Sequence, residues 1–250
     1  MPHREYIKIQ PESDTAVLLI HGILGTPNHF ADLIPLIPER WSVCNLLLDG
    51  HGGSVADFAA TSMKKWKAQV ADVLEKLLAQ HRRVVIVAHS MGTLFAIASA
   101  IRQPERIGGL FLLAVPLRPF VSFRAAAASV KLALGIAGED ATAAAMRCDS
   151  SVELERGLWK YMKWTPRFVE LLREAKQTEK ELHRLTVPTV ALQSGRDELV
   201  SDRSADILEK NPCVRVVRMP ESGHFGYHGR EETAVLERFR RWVNEMEGAT

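Results

Sequence analysis

The sequence is short of cysteine: Cys44, Cys148 and Cys213 are the three in 250 residues, far apart and with no CxxC pair. That excludes a disulfide framework and a thiolate metal site. An odd, scattered set reads as reduced thiols and predicts the cytoplasm. Charge bias is equally scarce. A formal net charge of +2 gives too weak a field to argue for nucleic acid or an anionic membrane as partner. Long apolar runs are missing too. The longest weakly apolar stretch, 125–138, is interrupted by Lys131 and is too short to span a bilayer. The opening MPHREYIKIQPESD lacks the apolar core of a signal peptide. There is no internal repeat, no low-complexity linker, and no G-x-G-x-x-G or P-loop, so a nucleotide cofactor has no support.

What is present is a regular alternation. With 46% hydrophobic residues the chain is ample for one large α/β domain. Short apolar runs at Ala16–Ile20, Val43–Leu48, Val84–Val87, Ile107–Val115, Thr189–Gln193 and Val214–Met219 read as strands, with Ile7–Ile9 as an edge strand. Helical patterns fall at Asn28–Ile37, Met63–Gln80, Met91–Gln103, Ser201–Lys210 and Arg230–Glu247. Alternating β and α units imply a mostly parallel sheet covered on both faces. Residues 116–185 break the alternation: they hold no convincing strand and are rich in Ala, Arg, Lys, Glu and large aromatics. We expect a core of 1–115 and 186–250, with 116–185 inserted as a helical cap after the sixth strand. An ordinary pair of crossover helices is the alternative. Ligands bind outside the carboxyl ends of strands in open α/β sheets, so such a cap covers the site.

The stretch VVIVAHSMGTLFAIA, residues 84–98, passes from strand to helix with only Ala88-His89-Ser90-Met91-Gly92 between. Small residues two before and two after the serine let strand and helix approach closely, and the sharp turn presents the hydroxyl. This matches the nucleophile elbow G-x-S-x-G with Ala88 for the first glycine. An ordinary N-cap serine does not explain Ala88 and Gly92 together. A serine needs a base, and the base an orienting acid; in this arrangement they follow in the order Ser, Asp or Glu, His. SGRDELV follows the strand at 189–193 and places Asp197 at its mouth, with Glu198 and Asp202 as rivals. PESGHFGYH follows the strand at 214–219 and places His224 on the next such loop, with His228 as the rival. An oxyanion requires two donors. The backbone N–H of Met91, at the helix start, is one, and that of Ile23 in LLIHGILGTPNHF is the other. Asp49-Gly50-His51-Gly52-Gly53-Ser54 reads as a structural turn. No second ligand cluster accompanies it, so no metal is expected.

These motifs together resemble the α/β-hydrolase superfamily, and within it small bacterial carboxylesterases and monoacylglycerol lipases. The residues that carry the resemblance are HGILGTP (21–27), DGHGGS (49–54), AHSMG (88–92), SGRDELV (194–200) and SGHF (222–225). The resemblance implies an α/β-hydrolase fold with Ser90 as nucleophile, Asp197 as acid, His224 as base, and Ile23 and Met91 as the oxyanion hole. It implies no cofactor. The departures are Ala88 for glycine and Thr93 where a second glycine is common. The implied activity is hydrolysis of carboxylic esters, of short or medium acyl chains or monoacylglycerols, so the expected partner is a small ester with an apolar acyl group. Amidase, aminopeptidase and thioesterase chemistry use the same serine. An aminopeptidase requires a carboxylate in the cap, for which Glu153, Glu155 and Glu170 are candidates. A non-catalytic small-molecule receptor is the reading of a different class.

Overall fold

A computed structural model of the chain describes residues 3–227 and 229–248. Seven strands form one sheet in the order β1-β3-β2-β4-β5-β6-β7. They are β1 Tyr6–Lys8, β2 Thr15–Ile20, β3 Ser42–Asn45, β4 Arg83–His89, β5 Ile107–Leu113, β6 Thr189–Ser194 and β7 Val214–Met219. Neighbours run parallel except β1, which pairs antiparallel with β3. The helices are α1 Val55–Ala60, α2 Met63–Gln80, α3 Met91–Arg102, α4 Phe123–Leu134, α5 Ala141–Asp149, α6 Leu158–Tyr161, α7 Thr165–Glu181, α8 Arg203–Leu208 and α9 Arg230–Gly248.

The period of two along a strand divides the core. Ala16, Leu18 and Ile20 of β2 join one cluster with α2, α3, α7 and α8, while Val17 and Leu19 join the other with α9. Strands buried on both faces must be apolar throughout, which is why β2 and β4 read as unbroken runs. α9 shows the opposite pattern, with Val235, Phe239, Trp242, Val243 and Met246 as a single buried stripe. α3 is apolar nearly all round because it lies between the sheet and α7.

Two expectations need correction. The helix expected over 28–37 is instead two 3₁₀ turns, Pro27–Phe30 and Ile34–Leu36. Pro35 has no N–H to donate and its ring clashes with the carbonyl four residues back, so an α-helix cannot pass through it. The insertion follows β5, the fifth strand and not the sixth. Among the described residues, the polar stretch before Thr15 forms one short strand, β1, so the strand that precedes the insertion is the fifth in chain order. α1 was not anticipated, although its start is a capping box: Ser54 Oγ accepts from the Asp57 N–H at 3.2 Å and Asp57 accepts from the Ser54 N–H at 2.8 Å.

Between residues 116 and 185 the chain is helical. α4 and α5 make a small cluster of their own from Ala128, Leu132, Ala137 and Ala143. α7 differs, because its Leu171 and Ala175 pack into the main core. The segment is hydrogen-bonded to loops at the carboxyl edge of the sheet at its start and near its middle. Phe120 N–H donates to Leu199 O and Ser122 N–H to Glu198 O, each at 2.9 Å. Near its middle, between α5 and α6, Ser151 N–H donates to Leu24 O and Glu153 N–H to Gly53 O, also at 2.9 Å.

Candidate active site

Ser90 is the single residue between β4 and α3, at φ 50° and ψ −124°. An L-residue there stores about 1–3 kcal/mol of strain, which the surroundings must over-determine. They do so on every side. Ser90 N–H donates to Leu113 O at 2.8 Å, and Ser90 O accepts from Thr93 N at 2.9 Å and Thr93 Oγ1 at 2.6 Å. A Cβ on Gly92 would stand 2.3 Å from Ile20 O and 2.8 Å from His21 O, so only glycine fits where α3 meets β2. Ala88 is fully buried, in register between Ile20 of β2 and Leu112 of β5. The Thr93 hydroxyl therefore ties down the carbonyl of the strained residue. Met91 opens α3, so its N–H has no acceptor within the helix and lies at the positive end of the helix dipole.

Asp197 and His224 come together from the loops after β6 and β7. His224 Nδ1 lies 2.8 Å from Asp197 Oδ2 and 3.0 Å from Oδ1. Asp197 Oδ1 also accepts the N–H groups of Leu199 at 2.8 Å and Val200 at 2.7 Å, which fixes the carboxylate. A carboxylate only accepts, so Nδ1 carries the proton and Nε2 is left as an acceptor. Both residues are buried, and His224 and Ser90 line the same cavity. The rivals lie elsewhere. Glu198 Oε2 accepts the His224 backbone N–H at 2.9 Å, holding the loop and not the ring. Asp202 pairs with Arg218 at 3.0 Å on the surface. His228 lies outside the described residues.

The loop after β2 is built to aim one peptide. Gly25 N–H donates to Gly22 O at 3.1 Å, and across a trans peptide the Ile23 N–H points the opposite way. Leu24 is held at φ 58° by its partners. Its N–H donates to His51 Nε2 at 3.1 Å, and its carbonyl accepts from Ser151 N. Ser151 Oγ donates to Gly25 O at 2.6 Å. Leu48 N–H donates to His21 Nε2 at 3.1 Å, so His21 carries its proton on Nδ1, which bonds Gly22 O at 2.8 Å. His51, expected to be part of a structural turn, does more: it braces this loop. Burial holds His51 down at about 4 and pushes His21 well below the usual imidazole range, so both work as neutral rings.

A protein-family model described as the alpha/beta hydrolase family matches residues 17–237. The chain belongs to this family. It is 26% identical over 232 residues to a thermostable monoacylglycerol lipase of Bacillus sp. strain H-257, covering 89% of this chain and 87% of that protein. Among solved structures it resembles one reported for the metagenome-derived lipolytic enzymes LipS and LipT, with TM-score 0.74, 19% identity and 98% of each chain covered. It also resembles the monoacylglycerol lipase of Paleococcus ferrophilus, with TM-score 0.68, 18% identity and 97% and 98% covered. At these identities the structural likenesses establish the fold alone.

The cavity of this α/β hydrolase holds about 460 Å³. Its walls are mostly apolar side chains from the helical segment, among them Val130, Leu132, Met146, Leu154, Trp164 and Phe168. Its floor is polar and unusually rich in histidine. His29 stacks on His89 with ring centroids 3.8 Å apart, and His89 lies 5.0 Å from the His224 ring. Burial holds His29 at about 4 and His89 well below the usual range, so these rings are neutral at pH 7. The sequence reading missed His29, His89, Ser151 and Asp149. The first two sit inside the motifs already quoted; Asp149 and Ser151 lie in a stretch with no motif at all. Glu153, Glu155 and Glu170 do not line the cavity. Glu155 pairs with Lys160, and Glu170 accepts from Met63 N at 3.0 Å. Among the described residues no group of His, Cys, Asp and Glu is arranged to hold a metal ion, and no helix is long and apolar enough to cross a membrane.

Proposed function

We propose that this hydrolase cleaves carboxylic esters with an apolar acyl group through an acyl-enzyme on Ser90. One observation carries the reading. A histidine whose Nδ1 is committed to a fixed carboxylate shares an apolar cavity with a serine held on a strained turn at a helix N-terminus. His224 Nε2 takes the Ser90 proton as Oγ attacks the ester carbonyl, and Asp197 orients the ring and stabilises the imidazolium. The N–H groups of Ile23 and Met91 receive the developing oxyanion, where preorganised donors in a water-poor site act most strongly. His224 then gives the proton to the leaving alcohol, and a water activated by the same nitrogen releases the acid. The scheme requires no metal or organic cofactor.

Apolar walls suit the acyl chain, and the likeness to monoacylglycerol lipases supports short to medium acyl esters, including monoacylglycerols. In this reading residues 1–115 and 186–250 are the core and 116–185 the cap, with α4 to α6 over the cavity and α7 anchoring them. Three free thiols suit a reducing compartment, which supports the cytoplasm. The test is hydrolysis of p-nitrophenyl esters from acetate to decanoate by wild type and Ser90→Ala. The reading expects an optimum at medium length and a loss of at least about a hundredfold in the variant. No turnover of any ester by wild type would overturn it and favour amide or thioester substrates.

A further inference from the structure

Among the described residues lining the cavity, Asp149 is the one carboxylate and there is no lysine or arginine. Its position is unfavourable in three respects. The side chain is mostly buried, and burial pushes the carboxyl up to about 6. It is the last residue of α5, where the helix dipole already presents negative charge and a cation is the stabilising choice. Among the described residues the basic group within ion-pair range is His29 Nδ1 at 3.9 Å, and that ring, held at about 4, is neutral at pH 7 and supplies no counter-charge. A carboxylate with no cation beside it, at the wrong end of a helix and facing an apolar cavity, lowers the stability of the empty protein. A ligand that brings a positive charge would reverse each of these penalties.

We propose that Asp149 is the specificity-determining group of a cation subsite, and that the preferred substrates are esters whose alcohol portion carries a protonated amine. The alcohol side is favoured because Asp149 lies 3.9 Å from His29, whose ring stacks on His89 beside the His224 ring, and in the ester-hydrolase reading His224 protonates the leaving alcohol. The inference rests on the ester-hydrolase reading. His29 sits beside the carboxylate as a neutral ring and shapes the subsite without competing for the ligand's charge. The walls that take the acyl chain remain apolar, so one cavity sorts the two ends of the substrate by polarity.

The test compares three nearly isosteric hexanoates at pH 7: the 2-(dimethylamino)ethyl, 3-methylbutyl and 3-hydroxy-3-methylbutyl esters. Wild type should favour the ammonium ester over the 3-methylbutyl ester by tenfold or more in kcat/KM, as a charge-assisted hydrogen bond implies. In Asp149→Asn that preference should fall to within about twofold. A second measurement does not use turnover: hexyldimethylammonium ion should raise the Tm of wild type and not that of Asp149→Asn. The unliganded variant should melt above wild type, because the buried charge is gone. Equal use of the three esters by wild type, or a preference for the hydroxyl ester, would overturn the cation subsite while leaving the ester-hydrolase reading intact. If no ester is hydrolysed, the ester reading fails, and the ammonium-induced shift in Tm alone decides whether Asp149 binds a cation.

Discussion

Adding one methyl group at Gly22 tests how Ser90 is placed. Gly22 follows β2 and its backbone does not adopt the left-handed region, so alanine suits its conformation and any effect is steric. A Cβ there would stand 2.8 Å from Ser90 Cβ, 3.3 Å from Ser90 Oγ and 3.4 Å from His89 Nδ1. Carbon atoms prefer about 3.5–4.0 Å, so one side must yield by roughly 0.7–1.2 Å. Ser90 has little room to retreat, because its N–H is bonded to Leu113 O and its carbonyl to Thr93 N and Thr93 Oγ1. Overpacking of this kind costs about 1–3 kcal/mol, which for a chain of this size lowers Tm by about 2–12 °C. A nucleophile displaced by about 1 Å loses about a hundredfold in rate. The assay is kcat/KM on the best p-nitrophenyl ester, with Tm followed by circular dichroism on the same samples. Gly22→Ala should stay folded at 25 °C and lose about a hundredfold in activity. Activity within threefold of wild type would refute the idea that this contact fixes the reacting hydroxyl.

Other perturbations separate the remaining parts. Asp197→Asn keeps the shape, but with its oxygen held by the Leu199 and Val200 N–H groups it puts an NH2 donor where Oδ2 faces His224 Nδ1 and favours the wrong tautomer, so kcat should fall by about three to four orders of magnitude with little change in Tm; a loss below tenfold would contradict the role given to Asp197. Ser151→Ala removes the hydroxyl bond to Gly25 O, so kcat should fall about tenfold while KM changes little, with Ser151→Thr restoring part of the rate; equal changes in both constants would point to a binding role instead. Acid should unfold the protein early. His29 and His51 sit at about 4 against an unfolded value of 6.5, so the unfolded chain binds more protons between those values. Stability is therefore full above about pH 6.5 and falls towards pH 4, by up to about 3 kcal/mol for each ring. His21 and His89 act in the same direction, and Asp149, raised to about 6, opposes them through a comparable term. Urea midpoints at pH 7, 5.5 and 4.5 should fall in that order, and a constant midpoint would contradict the neutral-histidine account.

The strands and the strand–serine–helix junction were legible in the sequence because they obey local rules. Fully buried strands must be apolar along their length, and Gly92 must be glycine because two carbonyls occupy the space of its Cβ. Asp197 and His224 were legible from their places at strand ends, although neither Ser90 nor Asp197 is near His224 in sequence. What could not be read depended on contacts across the fold. The braces on the Ile23 loop come from His51 and from Ser151, which is more than a hundred residues away in the chain. Asp149 shows nothing in sequence beyond an acidic residue at the end of an alanine-rich helix. Its isolation appears only when the cavity walls are assembled around it. The helix expected over 28–37 failed for a local reason, since the apolar spacing outweighed Pro35 in that reading.

The central claim is that Ser90 is a nucleophile activated by His224 and Asp197. The most direct measurement is intact-protein mass spectrometry after treatment with a fluorophosphonate, followed by mapping of the adduct. The account predicts a single adduct per chain, on the peptide that contains Ser90, absent in Ser90→Ala and strongly slowed in His224→Ala. An unlabelled wild type, or an adduct on any other residue, would contradict it.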